Sequence, residues 1–305
     1  MKLLICALLL CSVTVQAAQL TIGDQKGNAR AVMEAAGELS HLPYTVRWVE
    51  FPNAAPLLES LNSGHLDAGM VGDGPLAFAV AAGASVKAVQ ASQYLGNGII
   101  VKQNSPLHNI HQLQGKTVAT VKGSAGQNLV LAALAKAGMP ADSVRFVFLS
   151  PADASPALDN GSVDAVASWE PYVSFGLYQS GDRLLVDGKN FPVSNYLVAT
   201  DKAIAGKHAT LLDFSQRLSR ARTWGLQHPE AYSLTISRIL GIPENVALSK
   251  VKREDNSPVN DLSLLLTRQQ AAIDTFTQTG LIKPGLKAGS LLSRDFFSAP
   301  KEPQP

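Results

Sequence analysis

The chain has almost no cysteine. Its 305 residues include two, Cys6 and Cys11, and both fall in a segment that reads as an export leader. Lys2 gives a short positive start, Leu3 to Leu10 is an apolar run, and Val15-Gln16-Ala17 offers the small side chains a signal peptidase needs. The expected leader is residues 1–17, cut after Ala17 with Ala18 as the alternative, and the expected location is the periplasm. A lipoprotein signal at Cys11 would want a small residue where Leu10 stands, so export as a free soluble protein is expected. Without the leader there is no disulfide, no thiol nucleophile and no thiolate metal ligand. Stability must then come from a large apolar core.

Charge of one sign is missing as well. The sequence carries 26 basic and 24 acidic side chains, and loss of Lys2 brings the two nearer still. Nucleic acid, which calls for a strong basic patch, is not an expected partner. After the leader no apolar run reaches the roughly 20 residues of a membrane-spanning helix.

Catalytic and metal-binding patterns are equally thin. His108 and His111 stand three apart with no carboxylate cluster, which is poor zinc spacing. Lys122-Gly123-Ser124-Ala125-Gly126 resembles part of a phosphate loop, but the full G-x-x-x-x-G-K-[ST] order is absent. Ser168 lacks a Gly-x-Ser-x-Gly elbow. Asp73 and Glu170 could form a hydrolase pair, yet no third group assists them. The expectation is a protein with no metal, no cofactor and no enzymatic activity.

The chain does contain a repeat. Asn62 onward reads N-S-G-H-L-D-A-G-M-V-G-D-G-P, and Asp159 onward reads D-N-G-S-V-D-A-V-A-S-W-E-P, 97 positions apart. Gly64 falls on Gly161, Leu66 on Val163, Asp67 on Asp164 and Asp73 on Glu170, and upstream Leu20 to Gly23 falls on Thr117 to Thr120. Lysine-glycine pairs, Lys26-Gly27 and Lys122-Gly123, follow those upstream runs. Solenoid units are about 20–50 residues long, so this period implies two similar α/β lobes facing across a cleft.

Periodicity fills in the lobes. Strands are expected at Leu20 to Gly23, Tyr44 to Phe51, Asp67 to Val71, Val86 to Ala91 and Gly98 to Lys102, with helices at Asn28 to Leu39, Ala54 to Leu61 and Leu76 to Ala82. Gly72 to Pro75 reads as a tight turn. The second lobe repeats the order through strands Lys116 to Val121, Arg145 to Leu149 and Val163 to Ala167, and helices Ser124 to Ala137 and Ala152 to Asn160. Tyr196 to Thr200 reads as a strand returning to the first lobe, and Leu211 to Gln227, Pro229 to Leu240 and Leu262 to Thr279 read as helices. The fold class expected is α/β, two similar lobes with mostly parallel sheets joined by a two-strand hinge. Its divisions are 18–98 for the first lobe, 99–200 for the second, 201–300 for a helical return to the first, and 301–305 for a polar tail.

Open α/β sheets bind ligands beyond the carboxyl ends of their strands. That places candidate contacts in four loops, Gln25 to Asn28, Gly72 to Pro75, Gly123 to Gln127 and Trp169 to Tyr172. Three of these loops lead into helices, whose first N–H groups and dipole favour an anion. Helix capping explains Ser, Asn and Asp at such places equally well. Trp169 fits either core packing or an apolar part of a ligand.

Taken together, the Gly23 to Asn28 loop, Phe51-Pro52 to Leu61, Gly72-Asp73-Gly74-Pro75, Leu113 to Ser124 and Trp169-Glu170-Pro171-Tyr172 resemble the alkanesulfonate, taurine and nitrate branch of ABC-transporter substrate-binding proteins. Gln269-Gln270 through Gly280-Leu281-Ile282 is similar to that family too. The resemblance implies a type II periplasmic binding protein, a monomer that closes on a small sulfonate-like anion and delivers it to a permease and its ATPase. It also implies ligand contacts at Gln25, Gly27 and Asn28, at Gly72 and Asp73, at Ser124, and at Trp169 and Glu170. The chain departs from the family at Gly74-Pro75, where threonine and proline are usual, and at Asn256-Ser257-Pro258, where sulfonate binders carry aromatic and arginine residues. Taurine, a sulfate ester, nitrate and a thiamine pyrimidine precursor therefore stay open beside a sulfonate.

Overall fold

The computed structural model describes residues 18–25 and 27–297. The leader at 1–17, Lys26 and the tail at 301–305 lie outside the described residues. The first lobe opens with strands β1 (Gln19–Gln25), β2 (Thr45–Phe51), β3 (Ala68–Gly72) and β4 (Val86–Tyr94), interleaved with helices α1 (Arg30–Ala35), α2 (Ala54–Asn62) and α3 (Asp73–Ala81). The second contains β5 (Gly98–Val101), β6 (Thr117–Thr120), β7 (Arg145–Phe148), β8 (Ala165–Ser168) and β9 (Arg183–Asp187), with α4 (Ala125–Lys136), α5 (Pro151–Asp159) and α6 (Tyr172–Phe175). The chain then returns through β10 (Val193–Thr200) to α7 (Asp201–Gly206), α8 (His208–Gln227), α9 (Pro229–Leu240), α10 (Glu244–Glu254) and α11 (Leu262–Gln278).

Both sheets have five strands and one topology. The orders are β2-β1-β3-β10-β4 and β7-β6-β8-β5-β9. Within the first, β1 pairs in parallel with β2 and β3, while β10 runs antiparallel to β3 and β4. The second matches it, with β5 as the reversed strand. In each sheet the reversed strand is the one that has just crossed from the other lobe.

The repeated Gly-x-[Leu/Val]-Asp-Ala segment is scaffold. Thr21 N–H donates to the Asp67 carboxylate at 2.8 Å, and Thr117 N–H donates to that of Asp164 at 2.8 Å. Gly64 and Gly161 take φ of 75° and 76°, a left-handed turn suited to glycine. The two lobes do not share one offset, however. Ile22 pairs with Ala68 and Val118 with Ala165, so the first strands sit 96 apart and the third strands 97. The alignment of Leu20 on Thr117 therefore slips by one, and Gly27 and Gly123 become equivalent, with φ of 67° and 71°.

The second lobe ends earlier than position 200. Strand β10 belongs to the first sheet, so the crossings fall at 95–97 and 188–192, where Gly188 N–H donates to Asn97 O at 2.9 Å. The displaced boundary traces to β9, a half-buried strand at the sheet edge whose Arg183-Leu184-Leu185-Val186-Asp187 does not alternate. Without β9 the sequence shows no strand between Ala167 and Tyr196 to mark where the second lobe ends. The short turn expected at Gly72 to Pro75 is also replaced, because α3 begins directly at Asp73 with Gly72 as its N-cap.

Apolar clusters cover both faces of each sheet, and the two largest belong to the first. Leu57, Leu61, Leu76 and Phe276 fill one face beneath α2, α3 and α11, and Met33, Phe214, Leu218 and Ile236 fill the other beneath α1, α8 and α9. Leu131 of α4 joins the first cluster, which ties the second lobe to the first beside the cleft. Burial at roughly 25 cal/mol per Å2 of apolar surface is the main source of stability here.

Candidate ligand-binding cleft

A cleft of about 350 Å3 opens between the carboxyl ends of the two sheets. Gln25, Asn28, Gly72, Ser124, Trp169 and Glu170 all line it. Gly27 and Asp73 are not among its lining residues. A side chain at Gly27 would meet Leu240 of α9, so that glycine serves a turn packed on the fold.

The second lobe presents the start of α4. Ser124 caps it, its hydroxyl accepting from Gln127 N–H at 3.2 Å and lying 3.3 Å from Thr120 Oγ1. Gly123 N–H is taken by Gln127 Oε1 at 2.7 Å. A Cβ at Gly123 would lie 3.0 Å from the Phe78 ring across the cleft, so glycine also allows the lobes to approach. Ala125 lines the cleft and carries a first-turn N–H that the helix cannot pair internally. The α4 dipole and exposed Lys122 at the rim add positive potential.

The matching terminus of the first lobe is filled by the protein itself. Asp24, fully buried, accepts from Ala29 N–H at 3.1 Å and Arg30 N–H at 2.9 Å at the start of α1. Burial pushes its carboxyl up, and the N–H groups of Arg30, Ala29 and Gln25, with Arg222, pull it back. Arg222 also reaches Asn28, donating to its Oδ1 at 3.2 Å. The Asn28 amide hydrogens are thereby left for the cleft. Gln25 points the other way: its Nε2 donates to Met70 O at 2.7 Å, leaving Oε1 as an acceptor.

Asp73 braces the start of its own helix, and Glu170 braces one lobe against the other. The Asp73 carboxylate accepts from Gly74 N–H at 2.7 Å, and burial pushes its pKa up to about 7. The Glu170 side chain has no exposed surface; it accepts from Arg253 Nε at 2.7 Å and from Ser174 N–H at 3.1 Å. Burial raises the Glu170 carboxyl, with Ser174 and Arg253 opposing. Because Arg253 sits on α10 of the first lobe, this pair spans the lobes, beside a Ser174–Ser249 hydroxyl contact of 2.8 Å. Trp169 meets Tyr172 edge-on, ring centroids 5.8 Å apart.

Sequence reading did not find Tyr94, Asn195, Lys250 and Glu254, which also line the cleft. Lys250 and Glu254 form a 2.7 Å pair with both side chains almost fully buried. Burial would lower the Lys250 ammonium, yet Glu254 and Tyr232 hold it above the usual lysine value. Both residues lie on α10, in a charged Lys250-Val251-Lys252-Arg253-Glu254 run that reads as solvated surface. The omission of proline from Glu244 to Glu254 was the available signal for a helix there.

The sequence pattern of the NMT1/THI5-like family matches residues 45–232. A protein of Escherichia coli (strain K12), named for binding aliphatic sulfonates, is 34% identical over 86% of this chain and 85% of its own length. The crystal structure of the periplasmic aliphatic sulphonate binding protein SsuA from Escherichia coli superposes with a TM-score of 0.79 at 29% identity, covering 92% of this chain and 98% of that one. The desulfurization enzyme DSZB shares the fold alone, with a TM-score of 0.67 at 15% identity over 92% of this chain and 97% of that one.

Proposed function

The chain belongs to the NMT1/THI5-like family, and from that premise we propose that it is the substrate-binding component of an ABC importer, capturing an organic sulfonate. Hinge closure between the lobes would hold the anion, and the closed pair of lobes would be what the permease, with its ATPase, recognises. On this reading the protein is exported after loss of residues 1–17, works as a monomer in the periplasm, and releases its ligand chemically unchanged. The observation that carries it is the start of α4, where Ser124 and Ala125, with a hydroxyl and a first-turn N–H to offer, line the cleft together with Asn28. These are neutral donors suited to a permanently charged sulfonate.

The cleft's own charges support an anion that needs no buried arginine of its own. Arg253 is paired with Glu170 and Lys250 with Glu254, so neither cation is free to act as counter-ion. Nitrate would leave most of a 350 Å3 cleft unfilled. Thermal unfolding with alkanesulfonates, sulfate, nitrate, taurine and pyrimidines tests the proposal. A ligand at a hundredfold excess over its Kd should stabilise the fold by about 2.7 kcal/mol. An alkanesulfonate is expected to raise Tm; stabilisation by a pyrimidine alone would contradict the proposal. Recovery of the sulfonate intact after incubation separates binding from turnover.

A further inference from the structure

The second lobe holds a cavity of its own. It measures about 260 Å3 and shares no lining residue with the interlobe cleft. One wall is α5, through Ala152 and Ser155, and the other is α6 with the π-helical turn Gly176–Ser180 that continues it. The floor is the second sheet, through Ile100, Val166 and Ser168. The repeat explains why a cavity forms there. At the 97-position offset Ala55 falls on Ala152, Leu58 on Ser155, Phe78 on Phe175 and Ala79 on Gly176, the first of each pair lining the cleft and the second this cavity. The cavity is thus the second lobe's copy of the space between α2 and α3. Where the first lobe has a buried Leu58, the second has the smaller Ser155, and Ala79 gives way to Gly176.

Ser168 points to an occupant. It is 2% exposed, lines the cavity, and its hydroxyl has no hydrogen-bond partner within the protein. A buried hydroxyl left unmet costs free energy, so such groups are uncommon. Ser168 follows Val166 at the two-residue period of β8, which puts both on the face that floors the cavity. Among the described lining residues no side chain carries a charge, and burial pushes the Tyr172 phenol further from ionisation. An anion would be stranded there, which sets this cavity apart from the cleft. Its mouth is open, since Ala152, Ser155 and Gln179 are exposed. An apolar cavity of about 150 Å3 holds benzene, so this one has room for a substituted ring. We propose that the second lobe carries a second binding site, for an uncharged ring-sized apolar molecule whose hydroxyl pairs with Ser168. The site is independent of the sulfonate reading and stands or falls without it.

Amide NMR of the full mature chain titrated with phenol provides the test. Saturable shifts should appear at residues 151–155, 166–168 and 172–180. Benzoate, a ring bearing a charge, should bind there about tenfold more weakly or worse. Ser168→Ala should weaken phenol by about threefold to tenfold and leave Tm unchanged, because its hydroxyl has no protein partner to lose. Ser155→Leu puts the first lobe's own residue at an exposed rim position, where folding is not challenged. By filling the cavity it should weaken phenol by about tenfold. The proposal is overturned if no saturable shift appears at those residues, if benzoate binds there as tightly as phenol, or if both variants bind phenol unchanged.

Discussion

Helices α1 and α4 occupy the same place in their respective lobes, after a first strand and a left-handed glycine, yet their termini have different fates. In the first lobe Asp24 folds back onto the start of α1 and occupies it with a buried carboxylate. In the second lobe the residue at the equivalent register is Thr120, and its hydroxyl meets Ser124. One lobe has internalised its anion, while the other keeps polar, uncharged groups at the cleft. A duplicated scaffold thus gives one structural terminus and one candidate anchor, and the difference rests on one carboxylate.

Removing the internal anion should have the largest effect. Asp24→Ala strips the α1 terminus of its acceptor and leaves Arg222 buried without that counter-charge. A loss of about 3–5 kcal/mol in unfolding free energy is expected from denaturant titration. If stability were unchanged, Asp24 would not be the structural anion of the first lobe.

Asp73 and Glu170, also at matched positions, sharpen the contrast in a different way. Glu170 has Arg253, whereas Asp73 is held protonated by burial up to about pH 7. A folded pKa raised above the unfolded value near 4 means the folded state binds the proton more tightly. Asp73 therefore costs stability as pH rises from about 4 to about 7, with a slope of about 1.4 kcal/mol per pH unit. Asp73→Asn should remove that slope from unfolding measured between pH 4 and 8, gaining most at the alkaline end. Parallel curves for the two proteins would place the ionised Asp73 in a friendlier environment than the fold suggests.

Two substitutions then test the α4 terminus itself, the first by copying the other lobe. Thr120→Asp would install a carboxylate where the first lobe has Asp24, and sulfonate affinity should fall by about a hundredfold, or about 2.7 kcal/mol. Ser124→Ala removes one hydroxyl, with an expected cost of about 1 kcal/mol in stability as a lost N-cap. Its effect on sulfonate affinity should be smaller than that of Thr120→Asp. Sulfonate affinity unchanged by both substitutions in titrations would move the anchor off the α4 terminus.

Much of this architecture was readable beforehand because it rests on short local patterns. The duplicated Gly-x-[Leu/Val]-Asp-Ala segments lead into buried strands, and the helices at Ala54, Ser124 and Pro229 start where capping or proline signals stand. The loops after the strands were legible too, since fold geometry alone places Gln25, Asn28, Gly72, Ser124 and Trp169 together. What was hidden lies in long-range pairing. Glu170 looks like a ligand contact until Arg253 is found 83 positions away, bonded to it. Helix α10 was invisible because Lys250 and Glu254, charged residues that normally face water, neutralise one another inside. Asp24 gave no hint that it would outcompete a ligand for its own helix terminus, because that depends on a turn that brings residues 29 and 30 back over it.

The central claim is that the α4 terminus, the one without its own carboxylate, anchors the ligand. A crystal structure of the complex with octanesulfonate tests it most directly. The account predicts sulfonate oxygens within hydrogen-bonding distance of Ser124 Oγ and Ala125 N–H. A sulfonate seated away from α4, for instance beside Asn53 at the start of α2, would contradict it.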